Sequence, residues 1–161
     1  MAGTDRSQEL LTGGPAFVLM RPQLGENIGS AARAMLNFGL NDLRLVSPRD
    51  AWPNERAIAS SSGAEAVTSR ARLFDSGPAA LADLKHVYAS SARPRDMQKP
   101  ILTAAEGAQR LREHLAAGEA TGVIFGPERT GLTNDDLSLA EAIIEIPANP
   151  GFASLNLAHA V

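Results

Sequence analysis

Five short apolar runs place the strongest constraint on the fold of this chain. Each has the length and composition of a buried β-strand and gives way to a polar or Gly/Pro-containing segment. Helical patterns separate the runs, most clearly at residues 104–117, where Leu111 and Leu115 share one side. Alternating strands and helices predict an α/β domain with a parallel sheet and helices on both faces. The runs are residues 15–20, which we take as the first, central strand, 43–46, 86–89, 121–125 and 143–146.

Weaker patterns fill the intervals between these runs. Residues 1–14 are polar, end in two glycines and predict a flexible leader before a single domain at 15–161. Residues 21–29 are typical of a loop, and a helix follows from about Ala31 to Gly39. Shorter segments predict a helix around 57–67, a minor strand within 70–74, a helix at 78–84 and a short helix capped at Thr133.

The composition excludes several classes of protein. The 161 residues include no cysteine, which removes disulfides, thiolate zinc sites and cysteine nucleophiles. His86, His114 and His159 lack metal-ligand spacing, so we expect no metal. We find no apolar run of membrane length and no secretory signal, and expect a cytoplasmic protein. The net charge of −3 argues against a strongly basic nucleic-acid binder.

The stretch from residue 143 onwards is the most informative unit. A strand is followed by a loop that contains Pro147 and Pro150-Gly151, and then by a helix that we expect Ser154 to cap. Such a loop offers backbone N–H and C=O groups to a ligand. Plain connections between strands and helices share this composition, so spacing alone leaves both interpretations open.

The residue identities in three segments are a more specific signal of function than the spacing of strands and loops. The third motif, residues 146–158, reads Ile-Pro-Ala-Asn-Pro-Gly-Phe-Ala-Ser-Leu-Asn-Leu-Ala. The first motif, residues 27–35, reads Asn-Ile-Gly-Ser-Ala-Ala-Arg-Ala-Met, and the second, residues 125–132, reads Phe-Gly-Pro-Glu-Arg-Thr-Gly-Leu. Together and in this order they resemble the motifs of the SpoU-type (SPOUT superfamily) RNA ribose 2′-O-methyltransferases, and the third favours the TrmJ-like branch.

The resemblance implies roles for particular residues. The implied catalytic residues are Arg33, Asn27, Glu128, Ser154 and Asn156. The implied contacts to the methyl donor are Ser90, Ser91, Ala92, Gly126, Ile146, Ala153, Ser154 and Leu155. Arg33, Arg93 and Arg95 are the implied RNA contacts. Simpler interpretations stay open, because Arg33 also suits a surface ion pair, Glu128 and Arg129 a surface turn, and Arg93 and Arg95 plain solvation.

The resemblance also implies a fold and an activity. The family folds as an α/β trefoil knot and acts as a homodimer, and small residues such as Gly29, Ala31 and Ala32 suit either that contact or tight packing within the chain. The implied reaction is S-adenosylmethionine-dependent 2′-O-methylation of a tRNA ribose, cytidine or uridine at the first nucleotide of the anticodon loop, with S-adenosylhomocysteine as product and without a metal. Alternatives are another tRNA loop, ribosomal RNA, or a non-catalytic RNA- or donor-binding module. Since family members continue beyond the position of Val161, we expect a truncated last helix.

Overall fold

The computed structural model describes residue 5 and residues 7–92 and 98–161. These residues contain one seven-stranded sheet in which every pairing is parallel. The strands are β1 Ala16–Met20, β2 Leu43–Val46, β3 Arg72–Phe74, β4 His86–Ser90, β5 Ile101–Thr103, β6 Thr121–Phe125 and β7 Ala142–Glu145. Their order across the sheet is β3-β2-β1-β6-β4-β7-β5, so the predicted parallel sheet is confirmed and β1 lies in its interior.

Helices cover both faces of this sheet, as predicted. They are α1 Gly25–Asn37, α2 Glu55–Ser60, α3 Glu65–Thr68, α4 Gly77–Leu81, α5 Ala104–Ala116, α6 Asn134–Ser138 and α7 Leu157–Ala160. Phe17 and Leu19 of β1 join a core with α1, α5 and α7, whereas Val18 and Met20 join a core with α4 and α6. This alternation explains the continuous apolar runs, because interior strands such as β1 and β6 are buried on both sides. Full burial of each large apolar side chain stabilises the fold by about 1.5–3 kcal/mol.

The small residues of α1 pack within the chain. A Cβ added at Gly29 would lie 2.0 Å from the carbonyl oxygen of Ala57, so only glycine allows α1 and α2 to approach this closely. Ala31 and Ala32 are completely buried. Ala31 and Ala32 lie in the core with β1, as packing of the helix on the sheet requires, whereas Gly29 packs on α2 instead; none of them by itself supports a subunit contact.

Three local predictions differ from the structure. The predicted helix at 57–67 is two helices, α2 and α3, because the chain takes positive φ values of 49° at Ser62 and 94° at Gly63. Strand β5 was not predicted, because it has only three residues and pairs at the sheet edge with β7. Helix α1 begins at Gly25, inside the predicted loop, for a reason given by the site described below.

The end of the predicted leader lies against the domain. Gly13 forms an isolated parallel bridge with Leu40, while Leu10 and Leu11 are exposed. Among the described residues, no helix combines the length and the apolar character that crossing a membrane would need.

Candidate functional site

A pocket of about 280 Å³ opens where three neighbouring strands end. Its wall contains Ser90 and Phe125, the last residues of β4 and β6, and Ile146, which directly follows β7. Ligands of open parallel sheets bind at the carboxyl ends of the strands. The second and third motifs supply most of the remaining wall. We call this cavity the central pocket.

The central pocket brings together every residue that the sequence predicted for the methyl donor. Ser90, Ser91 and Ala92 come from the loop after β4, Gly126 from the second motif, and Ile146, Ala153, Ser154 and Leu155 from the third motif. These eight residues lie on three separate segments, so their convergence is a result of the fold. Their contact with a donor stays a prediction.

Glu128 joins the second motif to the start of α1. Its carboxylate accepts backbone N–H groups from Gln23 at 2.9 Å and Leu24 at 3.1 Å, and the Asn27 side-chain amide at 3.1 Å. Leu24 is the N-cap of α1 and provides no side-chain cap, so the distant carboxylate satisfies this end of the helix. Burial raises the pKa of Glu128, but these donors outweigh that effect and hold the pKa below its usual value. The carboxylate is therefore ionised at neutral pH.

Two asparagine side chains extend this network to the third motif. The Asn156 amide donates to Oδ1 of Asn27 at 2.9 Å, and Oδ1 of Asn156 accepts the backbone N–H of Ala158 at 2.9 Å. A backbone N–H at one end and a carboxylate at the other fix both amide orientations, since only one arrangement pairs each donor with an acceptor. Three of the five predicted catalytic residues, Asn27, Glu128 and Asn156, thus form one continuous chain of hydrogen bonds.

We expect Asn27→Asp to break this chain at its centre. The substitution keeps the shape of the side chain but turns the donor that faces Glu128 into a second carboxylate oxygen. The loss of this charge-assisted hydrogen bond should lower the free energy of unfolding by about 1–3 kcal/mol near neutral pH. Urea unfolding at neutral and at mildly acid pH measures it. Because protonation of one carboxyl restores a donor, the deficit should shrink in acid, and a deficit independent of pH would contradict the assignment.

Arg33 is not part of this network within one chain. Six residues separate it from Asn27 on α1, which places the two side chains about 120° apart around the helix. Arg33 is exposed and donates to the Ser62 hydroxyl at 3.3 Å. Arg33 therefore lies outside the hydrogen-bond chain of Asn27, Glu128 and Asn156, and its catalytic role stays a prediction. The expected surface pairing with a carboxylate is also not seen among the described residues.

The last helix begins later than predicted. Asn156, rather than Ser154, is the N-cap of α7, and Ser154 and Leu155 belong to the exposed loop that borders the central pocket. The side-chain amide of Asn156 caps α7 through its oxygen, and its nitrogen is held in place by Asn27. Ser154 lines the central pocket, so a direct contact with a ligand is still open to it. Arg93 and Arg95, the other predicted RNA contacts, lie outside the described residues.

Gly126 is required by the turn of the second motif. A Cβ at this position would lie 2.4 Å from the Gly131 carbonyl carbon and 2.4 Å from the Leu132 nitrogen. The Gly131 N–H bonds back to the carbonyl oxygen of Pro127 at 2.9 Å, which folds the segment onto itself. The nearest atoms therefore belong to the protein's own backbone, and contact of Gly126 with the methyl donor stays a prediction.

Several residues of the pocket wall were not predicted. They include Arg129, Thr130, Leu157 and Ala160. Arg129 and Thr130 stand inside a recognised motif, so the motif was a usable signal for them. Leu157 and Ala160 belong to α7, whose position against α1 depends on contacts between distant parts of the chain.

A second polar cluster lies at the opposite edge of the sheet, where β4, β6 and β7 begin. The His86 ring contacts Glu141 through Nδ1 and Glu119 through Nε2, both at 2.7 Å. His114 contacts Glu119 at 3.2 Å and the Tyr88 hydroxyl at 3.0 Å. Potential ligand atoms of His86, His114 and Glu141 come within 4.8 Å of one another. The two imidazoles are stacked with centroids 3.5 Å apart, so their in-plane lone pairs run parallel and do not converge on one ion.

The protonation of His86 follows from these contacts. A neutral imidazole has one N–H, and its other nitrogen would then present a lone pair to a carboxylate at 2.7 Å. Both contacts are satisfied only by the imidazolium. Desolvation lowers the pKa of His86, but the hydrogen bonds to Glu141 and Glu119 outweigh it and raise the pKa above its usual value.

We therefore expect stability to fall as the pH rises above about 6.5, the usual histidine pKa. The contribution of His86 is complete below the pKa of the unfolded chain and is lost as the pH passes through the raised pKa of the folded chain. Urea unfolding across this range measures the loss, and His86→Gln should flatten the profile. His159→Gln, on the exposed side of α7, is the control and should keep it. A His86→Gln profile as steep as that of the unmodified chain would contradict the assignment.

Comparison with known proteins agrees with this geometry. Residues 15–161 match the model of the SpoU rRNA Methylase family. The tRNA (cytidine/uridine/adenosine-2′-O-)-methyltransferase TrmJ of Pseudomonas aeruginosa (strain UCBPP-PA14) is 42% identical over 144 residues, which are 89% of this chain and 56% of that protein. The chain thus spans little more than half the length of this relative.

Solved structures show the same likeness. TrmJ from Z. mobilis ZM4 is 54% identical, with a TM-score of 0.86 over 92% of this chain and 65% of that one. A structure concerning 2-OH methylation of C/U34 on tRNA is 28% identical, with a TM-score of 0.70 over 90% of this chain and 87% of that one. The family model covers all three motifs and nearly the whole chain, and the protein therefore belongs to the SpoU rRNA methylase family.

Proposed function

We propose that the chain transfers a methyl group from S-adenosylmethionine to a ribose 2′-hydroxyl of tRNA, at cytidine or uridine in the first nucleotide of the anticodon loop. The observation that carries this proposal is the hydrogen-bond chain Glu128–Asn27–Asn156, which joins the three motifs beside the central pocket. The names of the TrmJ relatives support the reaction and the tRNA substrate. Nucleotide 34 is a second candidate target, because one structural neighbour concerns C/U34.

The central pocket suits this donor chemically. Small side chains such as Ser91, Ala92 and Ala153 leave backbone polar groups accessible, and the wall contains apolar surface from Phe125, Leu155 and other residues. The ionised Glu128 carboxylate places negative charge beside a pocket that would hold a cation. When bound, S-adenosylmethionine supplies a methyl group that is already activated on a sulfonium. The product is S-adenosylhomocysteine, and the proposal includes no metal.

The tasks left to the protein are orientation and exclusion of water. The loops after β4, β6 and β7 would orient the donor through backbone groups, while Ser154 borders the space in which the ribose must enter. As the new C–O bond forms and the S–C bond breaks, the hydroxyl proton leaves for water. Glu128 is a poor acceptor for this proton, because three N–H donors already occupy its oxygens.

We infer that Arg33 acts from a second copy of the chain. Arg33 faces away from the network of its own chain and does not line its central pocket, which favours its use at the pocket of another subunit. A guanidinium there would stabilise the developing alkoxide or hold a neighbouring phosphate. The same proposal includes a homodimer, a knotted C-terminal segment in which α7 packs on α1, and action in the cytoplasm.

The homodimer has a direct test in solution. We expect light scattering to give about twice the 16.9 kDa mass of one chain. A mass near that of one chain at the concentrations used for activity would contradict the dimer and, with it, the placement of Arg33.

Methyl transfer to purified RNA tests the proposed function. We expect label from S-adenosylmethionine to enter bulk tRNA and to be absent from ribosomal RNA. Label in ribosomal RNA alone would favour the other SpoU-type substrate. A folded chain that binds donor and tRNA but transfers no label would favour the non-catalytic module. Heat-denatured chain is the control for background label.

A further inference from the structure

Some arginines of the described residues form ion pairs with carboxylates of the chain, and others do not. Arg21, Arg44, Arg49, Arg56 and Arg72 each form an ion pair with a carboxylate of the chain, so they serve the fold or the local surface. Arg129 has no such partner within the described ranges and is exposed. It is also the one basic side chain in the wall of the central pocket, as far as the structure describes that wall.

The turn of the second motif holds Arg129 at the pocket. Glu128 is fixed on one side of it by three hydrogen bonds, and the Gly131 N–H bonds to the Pro127 carbonyl oxygen on the other. The adjacent side chains of Glu128 and Arg129 therefore have different surroundings. Glu128 is half-buried and binds the start of α1, whereas Arg129 is exposed at the solvent side of the same turn. Such a position keeps the guanidinium available without a folding role.

We propose that Arg129 binds a backbone phosphate of the RNA whose ribose enters the central pocket. This inference rests on the proposed function and names a contact that the motif roles did not include. A chain with a net charge of −3 needs local positive charge to bind RNA, and a guanidinium pairs with phosphate oxygens through two parallel N–H donors. A phosphate next to the target ribose lies close to its 2′-oxygen, so one contact at the pocket wall would fix the position of the nucleophile.

A second anion could in principle meet this guanidinium, namely the carboxylate of the methyl donor. Solvent exposure favours the phosphate, because RNA approaches from outside whereas the donor lies within the pocket. The contacts of Arg129 with RNA and with donor can be measured separately, which makes the choice testable.

The test compares Arg129→Gln with Arg112→Gln, an exposed arginine of α5 that makes the same change in net charge away from the pocket. For Arg129→Gln we expect the KM for tRNA to rise about tenfold and the slope of log KM against log salt to fall by about one, as for a lost phosphate contact. The affinity for S-adenosylmethionine alone, measured by calorimetry, should be unchanged. Arg129→Lys should recover part of the tRNA affinity, since it restores the charge but not the fork.

The outcomes separate this inference from the proposed function. If the unmodified chain methylates tRNA and Arg129→Gln behaves like Arg112→Gln, the phosphate contact is wrong and the function stands. If Arg129→Gln weakens donor binding and leaves the KM for tRNA unchanged, Arg129 binds the donor carboxylate and the inference is overturned. If the unmodified chain transfers no methyl group to tRNA, the proposed function fails first and the inference falls with it.

Discussion

Replacement of Gly126 by valine should abolish binding of the methyl donor. A Cβ at this position would lie 2.4 Å from backbone atoms of Gly131 and Leu132, which cannot move aside by a change of rotamer. The turn of the second motif must open, and its wall of the central pocket moves with it. Even Gly126→Ala should weaken donor binding, because its single methyl already makes the clash. Overpacking of about 1–3 kcal/mol, if it falls on binding, corresponds to roughly a 5- to 150-fold loss of affinity.

Calorimetry with S-adenosylhomocysteine measures this loss. Gly151→Ala is the control, because a Cβ there makes only an ordinary contact at 3.6 Å with the Asn149 side chain. The alanine variant also separates two explanations. If valine alone weakened binding, bulk inside the pocket would be the cause. Circular dichroism of each variant shows whether the fold survives, and normal donor affinity in a folded Gly126→Val chain would remove Gly126 from the site.

Arg33→Lys should lower turnover by about a hundredfold or more, the scale of removing one donor that stabilises a developing oxyanion. Lysine keeps the charge but loses the planar fork that can orient two groups together. Donor affinity should not change, because Arg33 lies outside the central pocket of its own chain. Near-normal turnover would return Arg33 to the role of a surface residue that binds Ser62.

Mixed dimers test whether Arg33 acts across the subunit contact. A chain with Arg33→Ala keeps an intact pocket, and a chain with Gly126→Val keeps an intact Arg33. If Arg33 acts on its partner's site, random mixing of the two inactive chains should restore about a quarter of normal activity, since half the dimers are mixed and each has one competent site. Action within one chain predicts no recovery. The result therefore distinguishes the two arrangements without depending on the size of either single effect.

The sequence predicted most strands because their apolar residues suit both a strand and the buried position that the strand has in the fold. Residues 16–20 are apolar throughout, and β1 is buried along its whole length. The start of α1 could not be predicted in this way. The N-cap residue Leu24 has no side chain that could cap the helix, and the carboxylate that replaces a cap comes from Glu128, more than a hundred residues later. Only the folded chain brings the two together.

In the candidate site, too, the sequence predicted the residues but not the contacts that depend on the folded chain. The resemblance implied eight donor contacts, which all line one pocket, and their contact with a donor stays a prediction. It also identified Asn27, Glu128 and Asn156, but not the hydrogen bonds that connect them. The hydrogen-bond partner of Arg33 could not be predicted, because Ser62 follows α2 and lies 29 residues further along the chain. His86 and His114 were dismissed on spacing, although the fold stacks their rings 3.5 Å apart.

The most direct test of the central claim is the position of the transferred methyl group. Transfer RNA treated with the chain and S-adenosylmethionine can be digested to nucleosides and to short fragments and analysed by mass spectrometry. The proposed function predicts one new methyl group on a ribose, at cytidine or uridine in the anticodon loop, and none in tRNA that carries 2′-deoxyribose at that nucleotide. A methyl group on a base, or undiminished transfer to the 2′-deoxy substrate, would contradict it.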